Sequence, residues 1–333
     1  MKVVKFIGSL AIIIALTVIA NKLSKLNAVV EFPIYAAVLG IIAGNIPRVS
    51  MYIKSATKAE FFIKVGLVLL GASVSFGVIM SIGWRGMVQA LIGVTPIFFL
   101  AWFVSGWFGL DKKFRAVLAS AVSICGVSAA IAGAGAVKAE KEKLTYVIMM
   151  VIAFALPLMV VIPILANIFG LSPAVAGAWA GNNIDTTAAV VGAGQIMGEQ
   201  AVKVASVVKM SQNVLIGVAA FLLALYFALR VDRKAQKPSV VEIWHRFPKF
   251  VIGFVLLSIL ASLGIFDKAQ VKTIGALQKW FFATAFVCIG MGFNFKELRK
   301  LGGKPLLVFA IVTVINTVTA LGLSYWLFGD YEF

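Results

Sequence analysis

Long apolar runs alternate with short polar loops from one end of the chain to the other. A helix of about 20 apolar residues crosses a bilayer, and about eleven runs approach that length. The pattern predicts an all-α polytopic membrane protein with about nine to eleven crossings. The predicted segments are roughly 5–21, 29–47, 61–80, 86–108, 114–137, 144–168, 173–196, 201–229, 247–265, 273–295 and 304–328.

Two stretches of the sequence resemble each other. "LLGASVSFGVIMSIGWRGM" (Leu69–Met87) aligns without gaps with "CIGMGFNFKELRKLGGKPL" (Cys288–Leu306), and Phe32-Pro33 resembles Phe247-Pro248. The two stretches lie an odd number of segments apart, so they would run in opposite directions. We therefore expect one integral membrane domain, 1–333, with inverted-topology repeats at about 1–108 and 201–328 around a central region, 112–200.

Composition agrees with a membrane protein. Hydrophobic residues make up 62% of the chain and charged residues 13%, whereas a soluble domain carries about 25% charge. The net charge of +17 lies mostly in short loops, where it indicates topology and contact with anionic lipid headgroups, not nucleic-acid binding. The loop charges favour a topology with the N-terminus in the cytoplasm and the C-terminus outside.

One loop leaves the topology open. "KAEKEK" (Lys138–Lys143) is basic, yet it falls outside if segments five and seven both cross the membrane. If 114–137 and 173–196 are re-entrant hairpins, the loop moves inside and the positive-inside bias becomes stronger. Both segments are rich in small and hydroxyl residues, and both alternatives remain.

Polar residues interrupt segment seven at its centre. A charge at mid-membrane costs several kcal/mol unless it is paired or hydrated, and Asp185 is the one acid deep in any predicted segment. Lys209 is the most deeply placed base, in the next segment. The clustering favours a polar cavity at mid-membrane, although a structural ion pair with helix–helix hydrogen bonds is the alternative.

Segment five carries a matching cluster in "SICGVSAA", where glycine and serine residues could break the helix. The N-terminus of a half-helix has free N–H groups and a partial positive charge, which suit an anion. The candidate substrate-binding residues from all segments are Ser123, Cys125, Gly126, Ser128, Asn182, Asn183, Asp185, Thr186, Thr187, Lys209, Gln212, Asn213 and Asn294.

No catalytic motif is visible, which predicts a protein that is not an enzyme and uses no cofactor. Walker loops, G-x-S-x-G elbows, H-E-x-x-H and CxxC motifs are missing from the sequence. The two cysteines lie in apolar segments and indicate no disulfide framework. Asp185 is the candidate for binding a coupling ion, H⁺ or Na⁺.

Four motifs resemble a known family, the YeiH-type family of proposed sulfate exporters in bacterial and archaeal inner membranes. The motifs are "SICGVSAA", "AGNNIDTTAAVVGAG", "VASVVKMSQNVLIGV" and "GMGFNFKELRKLGGKPLLV". The resemblance covers nearly the whole chain and implies the superfamily of cation/proton antiporters and bile-acid-type symporters, with inverted repeats and broken helices around a mid-membrane site.

Four positions depart from the pattern of that family. Where it usually has His followed by an acid and, later, a Gln before Val, this chain has Asp185, Thr186 and Ala189. Where it has Arg three residues after the shared lysine, this chain has Gln212. Two groups that could hold a dianion are therefore missing, which leaves open anions other than sulfate.

These observations predict a secondary active transporter for a small inorganic or organic anion, sulfate-, sulfite- or sulfonate-like, working by alternating access. The first alternative is a cation/proton antiporter that uses Asp185. The second is a non-transporting membrane scaffold or sensor. Besides the anion and the lipid bilayer, a homo-oligomeric partner is left open.

Overall fold

The computed structural model describes residues 2–26, 32–47, 49, 58–231, 241–293 and 302–332, and all regular secondary structure within them is helical. The first seven helices are α1 (Lys2–Leu26), α2 (Phe32–Asn45), α3 (Ala59–Leu70), α4 (Phe76–Trp107), α5 (Lys112–Ser120), α6 (Gly126–Val137) and α7 (Lys141–Ile168). The remainder are α8 (Pro173–Asn183), α9 (Thr187–Met197), α10 (Glu199–Arg230), α11 (Val241–Arg246), α12 (Phe250–Ser262), α13 (Lys268–Gly292) and α14 (Gly303–Phe328).

Seven helical stretches in the described residues are long and apolar enough to cross a membrane. They are Ile7–Leu26, Phe76–Trp107, Lys112–Val137, Lys141–Ile168, Glu199–Arg230, Lys268–Gly292 and Gly303–Phe328. The protein is therefore a polytopic helical membrane protein, as its sequence predicts.

The stretch Lys112–Val137 does not run straight, because α5 and α6 fold back on each other as a hairpin. The chain turns through a π-helical segment, Ala121–Cys125, before α6 begins at Gly126. A Cβ atom on Gly133 would lie 2.9 Å from Oγ of Ser120, so the two arms are in contact. At the open end, Nζ of Lys113 donates a hydrogen bond to the carbonyl of Lys138 (3.0 Å). Both ends of this first hairpin (112–137) therefore lie together.

Helices α8 and α9 form a second hairpin (173–197). Cβ atoms on Gly177 and Gly181 would lie 2.5 and 2.7 Å from the carbonyl oxygens of Ala201 and Ala205, so α8 runs parallel to the first half of α10. The chain then reverses through residues 184–186. Helix α9 returns antiparallel to α10, since Thr187 contacts Asn213 and Gly194 packs on Val202.

The two hairpins open at opposite ends of α7. This helix has 28 residues, so it is about 42 Å long at 1.5 Å per residue. It starts at the open end of the first hairpin and leads to the open end of the second. The tips meet between these ends, where a Cβ atom on Gly126 would lie 3.2 Å from the carbonyl oxygen of Asp185. Of the two topologies left open above, this geometry matches the re-entrant one.

Helices α2, α3, α12 and α13 pack together as a four-helix scaffold, whose buried core continues into α8, α9 and α10. Glycines bring these helices into close contact: a Cβ atom on Gly40 would lie 2.2 Å from the carbonyl oxygen of Val287, and one on Gly71 would lie 2.3 Å from that of Phe254. Phe254, Phe282 and Phe286 are buried in its core. The scaffold packs beside the hairpins and leaves a cavity between them.

The predicted boundary between segments three and four, 61–80 and 86–108, is wrong. Helix α3 ends at Leu70, a short 3₁₀ turn follows, and α4 already begins at Phe76. The oxygen of Ser75 caps α4 by accepting from the backbone N–H of Val78 (3.4 Å). Arg85, which the sequence suggests is a loop residue, therefore lies inside α4.

Candidate functional site

The tips of the two hairpins meet around Lys209 and Gln212 of α10. The side chain of Lys209 is only 1% exposed, and its Nζ donates to the carbonyl of Ile124 (2.7 Å) and to Oε1 of Gln212 (2.6 Å). Nε2 of Gln212 donates in turn to the carbonyls of Ser123 (3.1 Å) and Asn182 (3.3 Å). The last carbonyls of a helix lack partners within the helix. Lys209 and Gln212 thus bind the carbonyl groups at the end of the first arm of each hairpin.

Asp185 lies in the reversal of the second hairpin and is 3% exposed. Its Oδ2 is buried and accepts no hydrogen bond from the described residues. The structure records no direct ion pair between Asp185 and Lys209, both of which it describes. A buried acid without a bonded partner is costly in a membrane, which marks this position as a candidate for ion binding.

Asn213 of α10 is linked by short contacts to the tips of both hairpins. Nδ2 of Asn213 donates to Oγ1 of Thr187 (3.2 Å), and that hydroxyl lies 3.4 Å from Sγ of Cys125. Oδ1 of Asn213 is buried without a partner among the described residues. Thr186 caps α9 by accepting from the backbone N–H of Ala189 (3.2 Å). These groups offer hydroxyl and amide donors to the space beyond them.

That space is a cavity of about 860 Å³ between the hairpins and the scaffold. The first residues of α6 and α9 line it, including Val127, Ser128, Thr187 and Ala188. Helix N-termini carry about half a positive charge each and favour anions. The cavity thus faces the positive N-terminal ends of α6 and α9. The carbonyl groups at the ends of α5 and α8 are instead bound by Lys209 and Gln212.

Charged side chains line the mouth of the cavity: three lysines and one glutamate, which are Lys58, Lys64, Lys249 and Glu60. Glu60 pairs with Lys64 (2.8 Å) and accepts a hydrogen bond from Oγ of Ser128 (3.3 Å). This second contact joins α3 of the scaffold to α6 of the first hairpin. Glu60 cannot be recognised as a site residue from the sequence, because an acid and a lysine four residues apart near a helix start resemble an ordinary surface pair.

Of the sequence-predicted site residues, five line the cavity: Cys125, Ser128, Thr186, Thr187 and Asn213. Gly126, Asp185, Lys209 and Gln212 lie behind them at the tips. Oγ of Ser123 donates to the carbonyl of Ala119 in its own helix (2.7 Å) and does not face the cavity. Asn294 lies outside the described residues.

Asn182 and Asn183 point away from the cavity. A Cβ atom on Gly93 of α4 would lie 3.1 Å from Nδ2 of Asn182. Oδ1 of Asn183 accepts from Oγ1 of Thr317 (3.1 Å), and Nε1 of Trp179 donates to the carbonyl of Thr317 (2.9 Å). These residues fasten the second hairpin to α4 and α14. The sequence could not separate this anchoring role from substrate binding, because both need polar residues at mid-membrane.

The chain is similar to membrane proteins of several bacteria. A UPF0324 membrane protein of Rhodopirellula baltica is 37% identical over 97% of this chain and 63% of its own length. One from Nitratidesulfovibrio vulgaris is 40% identical over 88% of this chain and 54% of its own length. The chain therefore spans little more than half of these two relatives.

A relative of more similar length is a UPF0324 membrane protein of Chlorobaculum tepidum, which is 31% identical over 80% of this chain and 74% of its own length. No solved structure matches the chain. The family described as conserved hypothetical protein 698 matches residues 8–309. This match, together with the named relatives, confirms the resemblance drawn from the four motifs. The chain thus belongs to the conserved hypothetical protein 698 family, the YeiH-like family of UPF0324 membrane proteins.

Proposed function

We propose that the protein is a secondary active transporter that moves a small anion across the inner membrane by alternating access. One observation carries this proposal: two hairpins from opposite ends meet tip to tip, and a cavity of about 860 Å³ leads from the tips to one end of the protein. Broken helices at membrane depth are tolerated where they line a cavity, and they commonly form transporter binding sites.

The charges around the cavity support an anion as the substrate. Two helix N-termini face it from the deep end, and three of the four charged side chains in its lining are lysines. Ser128, Thr187 and Asn213 offer neutral donors that could replace the water around an anion. Sulfate, sulfite and small sulfonates remain the candidates, since nothing in the cavity selects one of them.

Movement between two bodies would provide alternating access. The scaffold lies on one side of the cavity and the hairpins on the other, and the Ser128–Glu60 hydrogen bond joins them at the mouth. An anion that displaces Glu60 from Ser128 would release this contact. Rocking of the hairpin body against the scaffold would then close one end of the cavity and open the other.

Inverted repeats are part of this proposal, and the glycines of the aligned stretches support them. Gly71 in the first stretch packs on the carbonyl of Phe254 in α12, while Gly290 in the second packs on that of Ala37 in α2. If α2–α3 and α12–α13 are equivalent repeats, then each of these glycines packs on the first helix of the other repeat. The gap-free alignment does not extend further, because Gly83 lies inside α4 whereas its counterpart Gly302 precedes α14.

The proposed topology has nine crossings and two re-entrant hairpins. It places Lys138–Lys143 in the cytoplasm together with the mouth of the cavity, where Lys58 and Lys249 lie. The N-terminus is then cytoplasmic, and residue 332 lies outside. This arrangement follows the positive-inside rule and describes an inward-facing state.

A cation/proton antiporter is the second candidate, and one observation favours it. Oδ2 of Asp185 is buried without a hydrogen-bond partner among the described residues, so a proton or a cation could bind there. The two candidates differ in what drives flux: the first requires an anion gradient or exchange, whereas the second requires only cations and protons.

The test is anion flux into proteoliposomes, measured for labelled sulfate, sulfite and a small sulfonate. Thr187→Val keeps the shape of the side chain but removes the hydroxyl that contacts Asn213 and Cys125 in the cavity. We expect flux to fall at least about tenfold, the loss of one good hydrogen bond to the substrate. The matched control is Thr95→Val, whose exposed hydroxyl bonds only to its own helix. Equal flux in both variants would rule out this cavity as the anion path.

A further inference from the structure

Backbone carbonyl groups at the end of the first arm of each hairpin point toward the same place. The carbonyls of Ser123 and Ile124 come from the π-helical turn after α5, and that of Asn182 comes from the last turn of α8. Helix C-termini carry a partial negative charge, and here two of them face each other. Oxygen atoms gathered in this way form the kind of site that hard cations such as Na⁺ bind.

A cation already occupies this point, because the side chain of Lys209 ends there. Its Nζ lies 2.7 Å from the carbonyl of Ile124 and 2.6 Å from Oε1 of Gln212. Both distances are those of strong hydrogen bonds from an ammonium group. Gln212 binds the other two carbonyls, so a single Lys–Gln unit satisfies all three.

Asp185 supplies an independent sign that the site is built for a positive charge. Its Oδ2 is buried at the same junction without a hydrogen-bond partner among the described residues. An isolated buried carboxylate is costly, and so is an isolated buried ammonium. Placed near each other, although not in direct contact, the two side chains balance the charge of the junction.

We propose that the ammonium of Lys209 is the permanent cation of a cation site formed by the hairpin tips. The site is filled by the protein itself, so it needs no Na⁺, and it holds the tips together while the N-terminal ends of α6 and α9 face the substrate. This inference bears on the proposed transport function only in that it leaves no coupling Na⁺ at the hairpin tips; the cation site itself does not depend on transport.

The test removes the ammonium and supplies it again from solution. Lys209→Ala leaves space for the missing three-carbon amine, which propylammonium matches. The melting temperature of the purified protein is measured in propylammonium, sodium and choline chlorides at equal ionic strength. Lys203→Ala is the matched control on the same helix, since Lys203 pairs with Glu199 near its start.

We expect a lower melting temperature for Lys209→Ala and its recovery by several degrees with propylammonium, or in part with Na⁺, but not with choline. Lys203→Ala and the wild type should not distinguish the three salts. A folded Lys209→Ala protein that responds to no cation, or that responds no differently from Lys203→Ala, overturns the proposal.

The wild type provides a second test that does not depend on whether the variant folds. Its melting temperature, and any anion flux, should be the same in sodium and choline chlorides. Specific stabilisation by Na⁺ overturns the filled-site proposal and leaves anion transport standing. Rescue of Lys209→Ala by propylammonium without any anion flux in the wild type would support the filled cation site and overturn anion transport.

Discussion

The two hairpins share a plan but differ in what their tips contribute. In the first, the hydroxyls of Ser120 and Ser123 donate to carbonyls of their own helix, at 2.8 and 2.7 Å, and no side chain at the tip is charged. In the second, Asp185 lies in the reversal, and Thr186 and Asn183 bond to other backbone and side-chain groups. The first hairpin thus offers mainly its backbone, whereas the second also offers side-chain chemistry.

The difference follows from how each chain reverses. In the first hairpin the helical backbone continues into the turn, so the hydroxyls of Ser120 and Ser123 donate to carbonyls four residues back in the same helix. The second hairpin reverses through an extended segment, 184–186, whose side chains can reach other helices. If this reading is correct, substitutions of equal size should cost far more in the second tip than in the first.

The largest effect is expected at Asp185. Asp185→Asn keeps the shape but leaves the ammonium of Lys209 without its nearby balancing charge. We expect loss of transport and a drop of about 2 kcal/mol in stability, below the cost of breaking a directly bonded buried pair. Flux in proteoliposomes and thermal unfolding measure both.

The control for this substitution is Asp330→Asn, since Asp330 is an exposed acid after α14. It should leave flux and stability unchanged. Normal flux and stability in Asp185→Asn would show that the carboxylate is neither a coupling group nor a counter-charge, and the contrast between the hairpins would then lose its main support.

The sequence predicted both polar clusters and most helices, because composition and hydrophobic length are local properties. It could not decide between a crossing and a hairpin at 112–137, since hydropathy does not record chain direction. The contact that shows the hairpin, Nζ of Lys113 with the carbonyl of Lys138, joins residues 25 apart in the chain and depends on the turn at Ala121–Cys125. In the proposed topology, this hairpin places the basic loop Lys138–Lys143 in the cytoplasm, as the positive-inside rule favours.

The hydrogen bonds of Lys209 could not be predicted from the sequence, for a different reason. Its charge and depth suggest attraction of an anion, but its bonded partner Ile124 lies 85 residues away in the chain. The acceptor there is a backbone carbonyl, which any residue carries and no motif reveals. Glu60 was missed likewise, because its bond to Ser128 spans 68 residues.

A moderate effect should separate the two tips directly. Thr186→Val removes the cap of α9, which costs about 1 kcal/mol, and it changes the wall of the cavity. Ser123→Ala removes a hydroxyl bonded only within its own helix, so we expect a change below about 0.5 kcal/mol. Thermal unfolding of the two variants, with flux measured alongside, gives the comparison. Equal losses in both would mean that the tips are equivalent.

The smallest effect concerns the open end of the first hairpin, where Asp111 caps α5 and pairs with Lys143 (2.8 Å). Burial alone would raise the pKa of Asp111, but hydrogen bonds from Lys143 and from the backbone N–H groups of Phe114 and Lys113 bring it below its ordinary value of 3.8. A lowered pKa means that the charged form adds stability above pH 3.8, and that this stability is lost as the pH falls through the lowered value.

Asp111→Asn retains a capping oxygen but removes this charge. Because the pair is half exposed, we expect a loss of only a few tenths of a kcal/mol at pH 7. The difference from wild type should shrink as the pH falls below 3.8 and through the lowered pKa of Asp111, and it should also shrink in high salt. Melting temperatures across this pH range measure the effect. A difference that stays constant as the pH is lowered through this acidic range would mean that Asp111 acts through its cap alone, and that the ion pair does not help hold the hairpin closed.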